Sequence, residues 1–341
     1  MSELRQDPTT KEWVIFSIER GKKPQDFIRN PGTREKAAYS SSCPFCRGNE
    51  AMTPPDKICY NDQNNKGWLV RAFADKFPVL VLGGDTPRRT HDGFFLAMDN
   101  VGYHEIIVET PDHNVPLSLL NGDHVGYVLD AWRQRYNALS QISHVKSIII
   151  FKNHGQAAGT SRKHSYSQLI TTPVVPRHVR IRYEMAIRHH DNTGRCLYSD
   201  LIDHELNVGK RVITDTKSFL VFHPFASHHP FETWILPKMR QASFGQLQSP
   251  ELMHLAYILQ ENLLKIHQSL HNPDYNLVVE SAPVSENDRD QYHWQLKIIP
   301  RFSDTTGFET GSGVYLNTVL PEETAQFIRD FKIKQYKSPN R

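Results

Sequence analysis

Two cysteines, Cys43 and Cys46, stand three positions apart in S-S-C-P-F-C-R-G-N-E. Pro44 and Gly48 permit the tight turn that aims both sulfurs at one point, so the stretch reads as a metal-binding knuckle. A closed tetrahedral site needs two further ligands. The candidates are His113, in E-T-P-D-H-N-V-P-L, and His164, in R-K-H-S-Y-S-Q. Redox chemistry is the other use of a lone C-x-x-C, and His113 by itself reads equally well as a loop histidine bonded to backbone.

These residues must be carried by particular elements. The runs E-W-V-I-F-S, G-W-L-V-R-A-F, P-V-L-V-L-G, H-E-I-I-V-E-T and S-I-I-I-F-K-N are short and rich in Val, Ile and aromatic residues, as strands of a half-buried sheet are. Val125, Val128, Leu129, Trp132, Tyr136 and Leu139 recur at three and four, which predicts a helix before the last of those strands. The second half repeats the theme. S-F-L-V-F-H-P and F-E-T-W-I-L-P precede a helix that starts at Ser249 and has Leu252, Leu255, Ile258, Leu259 and Leu263 on one face. Y-N-L-V-V-E-S-A-P and Y-H-W-Q-L-K-I-I-P-R-F follow as a strand pair. The recurrence predicts an α+β chain of tandem duplicated units, each an antiparallel sheet with packed helices. The N-terminal domain is expected over 1–180 and the C-terminal domain over 190–341, with the boundary near Pro176 to Thr193. Setting Gln168 over Gln295 puts Tyr166 over His293, although a slip of one or two residues is equally easy to draw. Arg20 to Ser42 reads as a loop or arm.

At 341 residues and 38% hydrophobic content the chain can bury a sizeable core. No apolar run approaches the roughly 18–20 residues that span a bilayer, and the N-terminal stretch is polar, so the expected location is the cytoplasm. The 40 basic and 37 acidic residues form no long single-sign block, which argues against nucleic acid and membrane surfaces and leaves small anions open. Four cysteines are too few for a secreted disulfide framework.

C-P-F-C-R-G-N-E, R-A-F-A-D-K-F-P-V-L, G-Y-H-E-I-I-V-E-T-P-D-H, the long run from Phe151 to Pro176, H-P-F-E-T-W-I-L-P-K and G-F-E-T-G-S-G-V-Y-L-N-T-V-L-P-E-E-T-A-Q-F-I-R together resemble the galactose-1-phosphate uridylyltransferase family, most closely its ADP-glucose phosphorylase-like branch. That family belongs to the histidine-triad superfamily, with two such folds per chain. The resemblance implies zinc on Cys43, Cys46, His113 and His164. It implies a nucleotidyltransferase or phosphorylase acting on a nucleotide sugar or related adenylyl compound, and a homodimer in which one chain completes the other's site. Nucleotidyl transfer needs donors around the α-phosphate, and Ser161, Gln168 and the backbone of Gly159 are placed to supply them. Asn153 resembles the family's nucleotide-contacting asparagine. Arg71 to Pro78 resembles its nucleotide-binding stretch, with Asp75 in place of the usual asparagine, a carboxylate suited to a ribose or base rather than to phosphate. The second half offers Cys196, Ser199 and Glu205 without enough partners for a second metal.

Tyr166 occupies the position of the family's nucleophilic histidine in H-x-H-x-Q. Three consequences stay open from the residues alone. A phenol is itself a possible nucleophile if a neighbour such as Arg162, Lys163 or His293 activates it. The acceptor can instead attack directly, with Tyr166 orienting the nucleotide or donating a proton and His293 as base or relocated nucleophile. Or catalysis is lost, leaving a nucleotide-binding or regulatory protein on the same scaffold.

Overall fold

A computed structural model describes residues 2–17, 21–28, 37–62, 67–84, 86–287 and 289–335. The strands are β1 (Glu3–Gln6), β2 (Trp13–Phe16), β3 (Asp56–Asn61), β4 (Trp68–Ala74), β5 (Arg89–His91), β6 (Phe95–Ala97), β7 (His104–Val108), β8 (Ser147–His154) and β9 (Tyr166–Thr172), then β10 (Val212–Asp215), β11 (Phe219–Phe222), β12 (Thr233–Pro237), β13 (Tyr275–Glu280), β14 (Gln295–Pro300) and β15 (Tyr315–Asn317). Ten of them form one sheet in the order β10-β11-β12-β14-β13-β8-β9-β7-β4-β3. Every pairing in it is antiparallel.

Outward from the centre, one half runs β8, β9, β7, β4, β3 and the other β13, β14, β12, β11, β10. Each series visits its strands in the same relative chain order, so the sheet consists of two copies of one five-stranded unit joined edge to edge. The join is the register Tyr275↔His154 to Val279↔Ile150. The duplication expected from the recurring motifs is therefore present, and it is built into one continuous sheet.

Helices α1 (Gly122–Ser140) and α4 (Ser249–Ser269) occupy equivalent places in the two units and cover the same face of the sheet. The helical spacing predicted for the first is observed, and Val125, Val128, Leu129, Trp132, Tyr136 and Leu139 are all buried. Asn121 caps it by accepting from His124 N. The second starts where expected, but Gln248 is the cap and forms a capping box with Glu251. The two helices approach closely because Gly126 presents no Cβ; one built there would lie 2.6 Å from Met253 Sδ. Ile107, Ile150 and Leu169 from one half and Leu277, Leu296 and Ile298 from the other share the core beneath them.

The opposite face is covered differently in the two halves. Over β11, β12 and β14 lie α2 (Arg177–Thr193) and α3 (Leu197–Val208), with Ala186, Tyr198 and Ile202 packed on Leu220, Phe222 and Leu236. Neither helix was legible in the sequence, since α2 buries only Val179, Arg182 and Ala186 along 17 residues. The interval expected to hold the domain boundary is this helix, and Arg182 anchors it 3.2 Å from Glu280. P-V-L-V-L-G is not a strand either; Val81 makes an isolated bridge to Val101, while Leu82 is 73% exposed. The N-terminal β1 and β2 pair with β15 on the C-terminal half, where Arg5 Nη1 meets Glu322 Oε1 at 3.0 Å. Among the described residues no helix is long and apolar enough to cross a membrane.

Candidate functional site

The knuckle packs on β4 and β7 through Cys43, Phe45, Phe73, Ile106 and Val108. Its turn is closed by Cys46 N donating to Cys43 O at 3.2 Å and by Asn49 Nδ2 donating to Cys43 O at 2.7 Å. His113 arrives from the loop after β7, and His164 lies two residues before β9. All four side chains are buried, and their ligand atoms lie within 4.8 Å of one another. Cys46 Sγ is 3.3 Å from His113 Nδ1 and 3.7 Å from His164 Nδ1, and Cys43 Sγ is 3.7 Å from His164 Nδ1. A tetrahedral ion with bonds of about 2.3 Å to sulfur and 2.0 Å to nitrogen requires sulfur–nitrogen separations of about 3.5 Å.

The donor set fits such an ion. His164 Nε2 faces Thr110 O at 2.7 Å, which leaves Nδ1 for the cluster. Burial pushes the Cys46 thiol up to about 11 and holds His164 down to about 4. A divalent charge among the ligands favours the thiolates and releases their protons.

The four-ligand cluster lies beside the start of β9, the strand on which Tyr166 and Gln168 sit. Ser167 points to the helix side, accepting from Trp132 Nε1 at 2.7 Å, so Tyr166 and Gln168 point to the other face. Tyr166 is buried beside Phe45, with ring centroids 5.4 Å apart, and its hydroxyl lies 3.2 Å from Ser161 Oγ. Gly155, at φ +85°, makes the turn back from β8, where a Cβ would lie 1.9 Å from Asp274 Oδ1. Asn153 Oδ1 accepts from Asn276 Nδ2 at 2.8 Å, and Asn276 Oδ1 accepts from Arg301 Nε at 2.5 Å. Gln168 Oε1 lies 2.9 Å from His104 Nε2. The amide nitrogens of Asn153 and Gln168 have no partner among the described residues, so both are available to an anion on this face.

Ser161, Tyr166, Gln168 and Asn153 are thus brought together, and four other expectations change. The Gly159 N–H already donates to Gln156 O at 2.9 Å, so at φ +82° that glycine shapes the turn instead of binding phosphate. Asp75 does not face a ribose: Oδ2 lies 3.2 Å from His104 Nδ1, and Oδ1 accepts from Phe77 N. Arg71 is buried and gives Nε to Asp56 at 2.9 Å and Nη2 to Thr53, leaving Nη1 without a partner among the described residues. His293 is fully buried under α3, with Nδ1 3.0 Å from Pro237 O and its basicity suppressed by burial to about 4. It precedes β14, three strand spacings or about 14 Å from β9, too far to act on Tyr166 within one chain.

Sequence reasoning assigned no role to His104, Lys152, Asn276 and Arg301, which meet the site through strand pairing.

Residues 1–176 match the family model for the N-terminal domain of galactose-1-phosphate uridyl transferase. An ADP-glucose phosphorylase of Arabidopsis thaliana is 33% identical over 334 residues, covering 97% of this chain and 93% of the relative. The chain belongs to the galactose-1-phosphate uridyl transferase family. By that membership it is a nucleotidyltransferase. A galactose-1-phosphate uridylyltransferase of Thermotoga maritima, another relative in the family, is 25% identical over 343 residues, covering 98% of this chain and all of the relative. The crystal structure of an Arabidopsis thaliana ADP-glucose phosphorylase with bound ADP-glucose superposes with a TM-score of 0.82 at 31% identity, over 98% of this chain and 100% of that one.

Proposed function

We propose that this protein transfers a nucleoside monophosphate from a nucleotide sugar such as ADP-glucose to a phosphate acceptor, with one zinc ion held by Cys43, Cys46, His113 and His164. The observation that carries the reading is the set of amide and hydroxyl donors, Asn153, Ser161, Tyr166 and Gln168, turned to one face of β8 and β9 beside the metal cluster. The two Arabidopsis comparisons support ADP-glucose as the first substrate to try. Zinc supplies structural closure at the start of β9, and the donors hold and polarise the α-phosphate. Retention of this set argues for turnover over a binding-only role. The N-terminal unit, 1–180, carries the site, and the C-terminal unit, 190–341, lends it Asn276 and Arg301.

Direct displacement suits Tyr166 best. Among the described residues its hydroxyl has a hydroxyl, Ser161, as its hydrogen-bond partner, and neither a base nor a cation. A phenol so placed donates or orients instead of ionising to attack. The acceptor oxygen attacks the α-phosphorus in line, and the sugar phosphate leaves. Tyr166→Phe then lowers kcat about tenfold, the value of one hydrogen bond, and a chirally labelled α-phosphorus is inverted. The second reading, a tyrosyl nucleotide, rests on the motif position of Tyr166. It requires retention at phosphorus, abolished turnover in Tyr166→Phe, and a mass increase of one nucleoside monophosphate in the unaltered protein. No release of glucose 1-phosphate from ADP-glucose and inorganic phosphate would remove the phosphorylase assignment.

We also propose a homodimer and a cytoplasmic location. Phe77, Leu82, Phe94, Phe95 and Leu96 are each more than half exposed within one 77–97 segment. Exposed apolar surface concentrated in this way marks an association face, and a stable one buries about 800 Å² per partner. Leu82→Glu with Phe95→Glu is expected to yield monomers in analytical ultracentrifugation; an unchanged dimeric mass would place the interface elsewhere.

A further inference from the structure

We propose that Asn276 and Arg301, a positioning pair from the C-terminal unit, fix the Asn153 carboxamide with its NH2 group toward the nucleotide phosphate. This rests on the reading of that face given above. The two ends of an amide are told apart by partners of fixed polarity, and Asn276 has one at each end. Arg301 Nε can only donate, and it lies 2.5 Å from Asn276 Oδ1. Ala158 O can only accept, and it lies 2.9 Å from Asn276 Nδ2. The Asn276 amide therefore has a single orientation. Its second Nδ2 hydrogen goes to Asn153 Oδ1 at 2.8 Å, so Asn153 must turn its oxygen to Asn276 and its NH2 group away, onto the ligand face. With that donor removed, Asn153 could present its carbonyl oxygen, which a phosphate repels.

Strand pairing holds the pair itself. β8 and β13 join the two units, and in their register Asn276 stands opposite Asn153. β13 and β14 place Pro300 opposite Tyr275, and one residue on, Arg301 N donates to Asp274 O at 2.7 Å, which brings the guanidinium to Asn276. The Asp274 carboxylate closes the neighbouring turn, its Oδ2 accepting from Ala157 N at 2.7 Å. Ala157 and Ala158 are thus gripped in succession, shortly before Ser161. Asn153, Asn276 and Arg301 are each only partly buried, which leaves the Asn153 side chain within reach of a bound anion. The duplication acquires a use here: the second unit sets the polarity of a donor in the first.

The test is affinity for ADP-glucose by calorimetry, with thermal melts to show that each variant is folded. Asn276→Ala is expected to weaken binding roughly five- to tenfold, about one hydrogen bond's worth, and Arg301→Met, which unpins Asn276, to weaken it by a smaller factor. Arg301→Lys, which keeps a donor, restores part of that loss. Asn276→Asp keeps the shape of the side chain but can only accept, so Asn153 turns its NH2 group inward and its oxygen to the phosphate. Its affinity is expected to fall below that of Asn276→Ala, the reverse of the order that lost packing would give. In an Asn153→Ala background most of the Asn276→Ala loss is expected to vanish, and with it the excess loss of Asn276→Asp, which separates the turned amide from the added charge. Asn276→Ser carries the same comparison if Asn276→Ala does not fold. Wild-type affinity in these Asn276 variants, or losses that add in the Asn153→Ala background, would overturn the pair while leaving the nucleotide site in place. Failure of the unaltered protein to bind ADP-glucose would overturn the site and the pair together.

Discussion

Cys46→Ala is expected to yield a chain that retains no zinc and melts about 10 °C below the parent, which is expected to carry about one zinc per chain. The four ligands come from three separate segments: the knuckle, the loop after β7 and the residues before β9. His164 Nε2 facing Thr110 O at 2.7 Å and the Phe45 ring against His164 also join those segments, and an ion held by all four ligands would add closure of the long loops between them. Structural zinc is worth roughly 10–16 kcal/mol in isolated small domains. Here a ten-stranded sheet stands without it, so only a part, roughly 3–5 kcal/mol, falls on global stability. At about 2–4 °C per kcal/mol that part shifts Tm by about 10 °C. Activity falls further than stability, because His164 sits two residues from Tyr166 and four from Gln168. Metal analysis and scanning calorimetry on both proteins check this, and a zinc-free parent with the same Tm as Cys46→Ala would refute it.

Lys152→Met is expected to destabilise the fold by roughly 3–5 kcal/mol, and Lys152→Met with Glu109→Leu to recover most of that loss. Lys152 is 1% exposed and reaches Glu109 Oε2 at 2.7 Å, Ser165 Oγ at 3.0 Å and Tyr166 O at 3.1 Å, which uses all three of its protons. Glu109 accepts on Oε2 from Ser165 as well and has no partner for Oε1 among the described residues. Removing the cation alone strands a buried carboxylate, whereas removing both charges strands neither. The network grips the backbone between His164 and Tyr166, so the single variant also lowers kcat/KM where the double variant restores folding. Denaturant titration of the two single variants and the double variant gives the coupling, and additive losses would show that the pair is not the unit described.

Short-range features were the most legible. The apolar recurrence at three and four specified α1 and α4, because a helix reads its own local period and buries that stripe. The metal ligands were legible as far as the knuckle, and the family pattern supplied His113 and His164. What failed was local pattern without partners. P-V-L-V-L-G has strand composition but no neighbouring edge beyond Val101, and α2 has little apolar period because it is held by Arg182 between Asp7 and Glu280. The glycine turn suggested a phosphate loop, yet the Gly159 N–H is consumed inside the turn itself.

The sequence by itself determined an α+β chain with a recurring strand and helix pattern and a Cys-x-x-Cys knuckle, since each of these reads from short local spacings, while His113 and His164 came from the family pattern. Only the tertiary structure decided what Tyr166, Asp75 and His293 touch. Tyr166 meets a hydroxyl in place of a base, Asp75 faces His104, and His293 lies buried three strands off. The physical reason is that a side chain's chemistry is set by its nearest charges and hydrogen-bond partners. For Gln168 that partner is His104, 64 residues away, delivered by the register of β7 against β9 and by nothing in the local sequence.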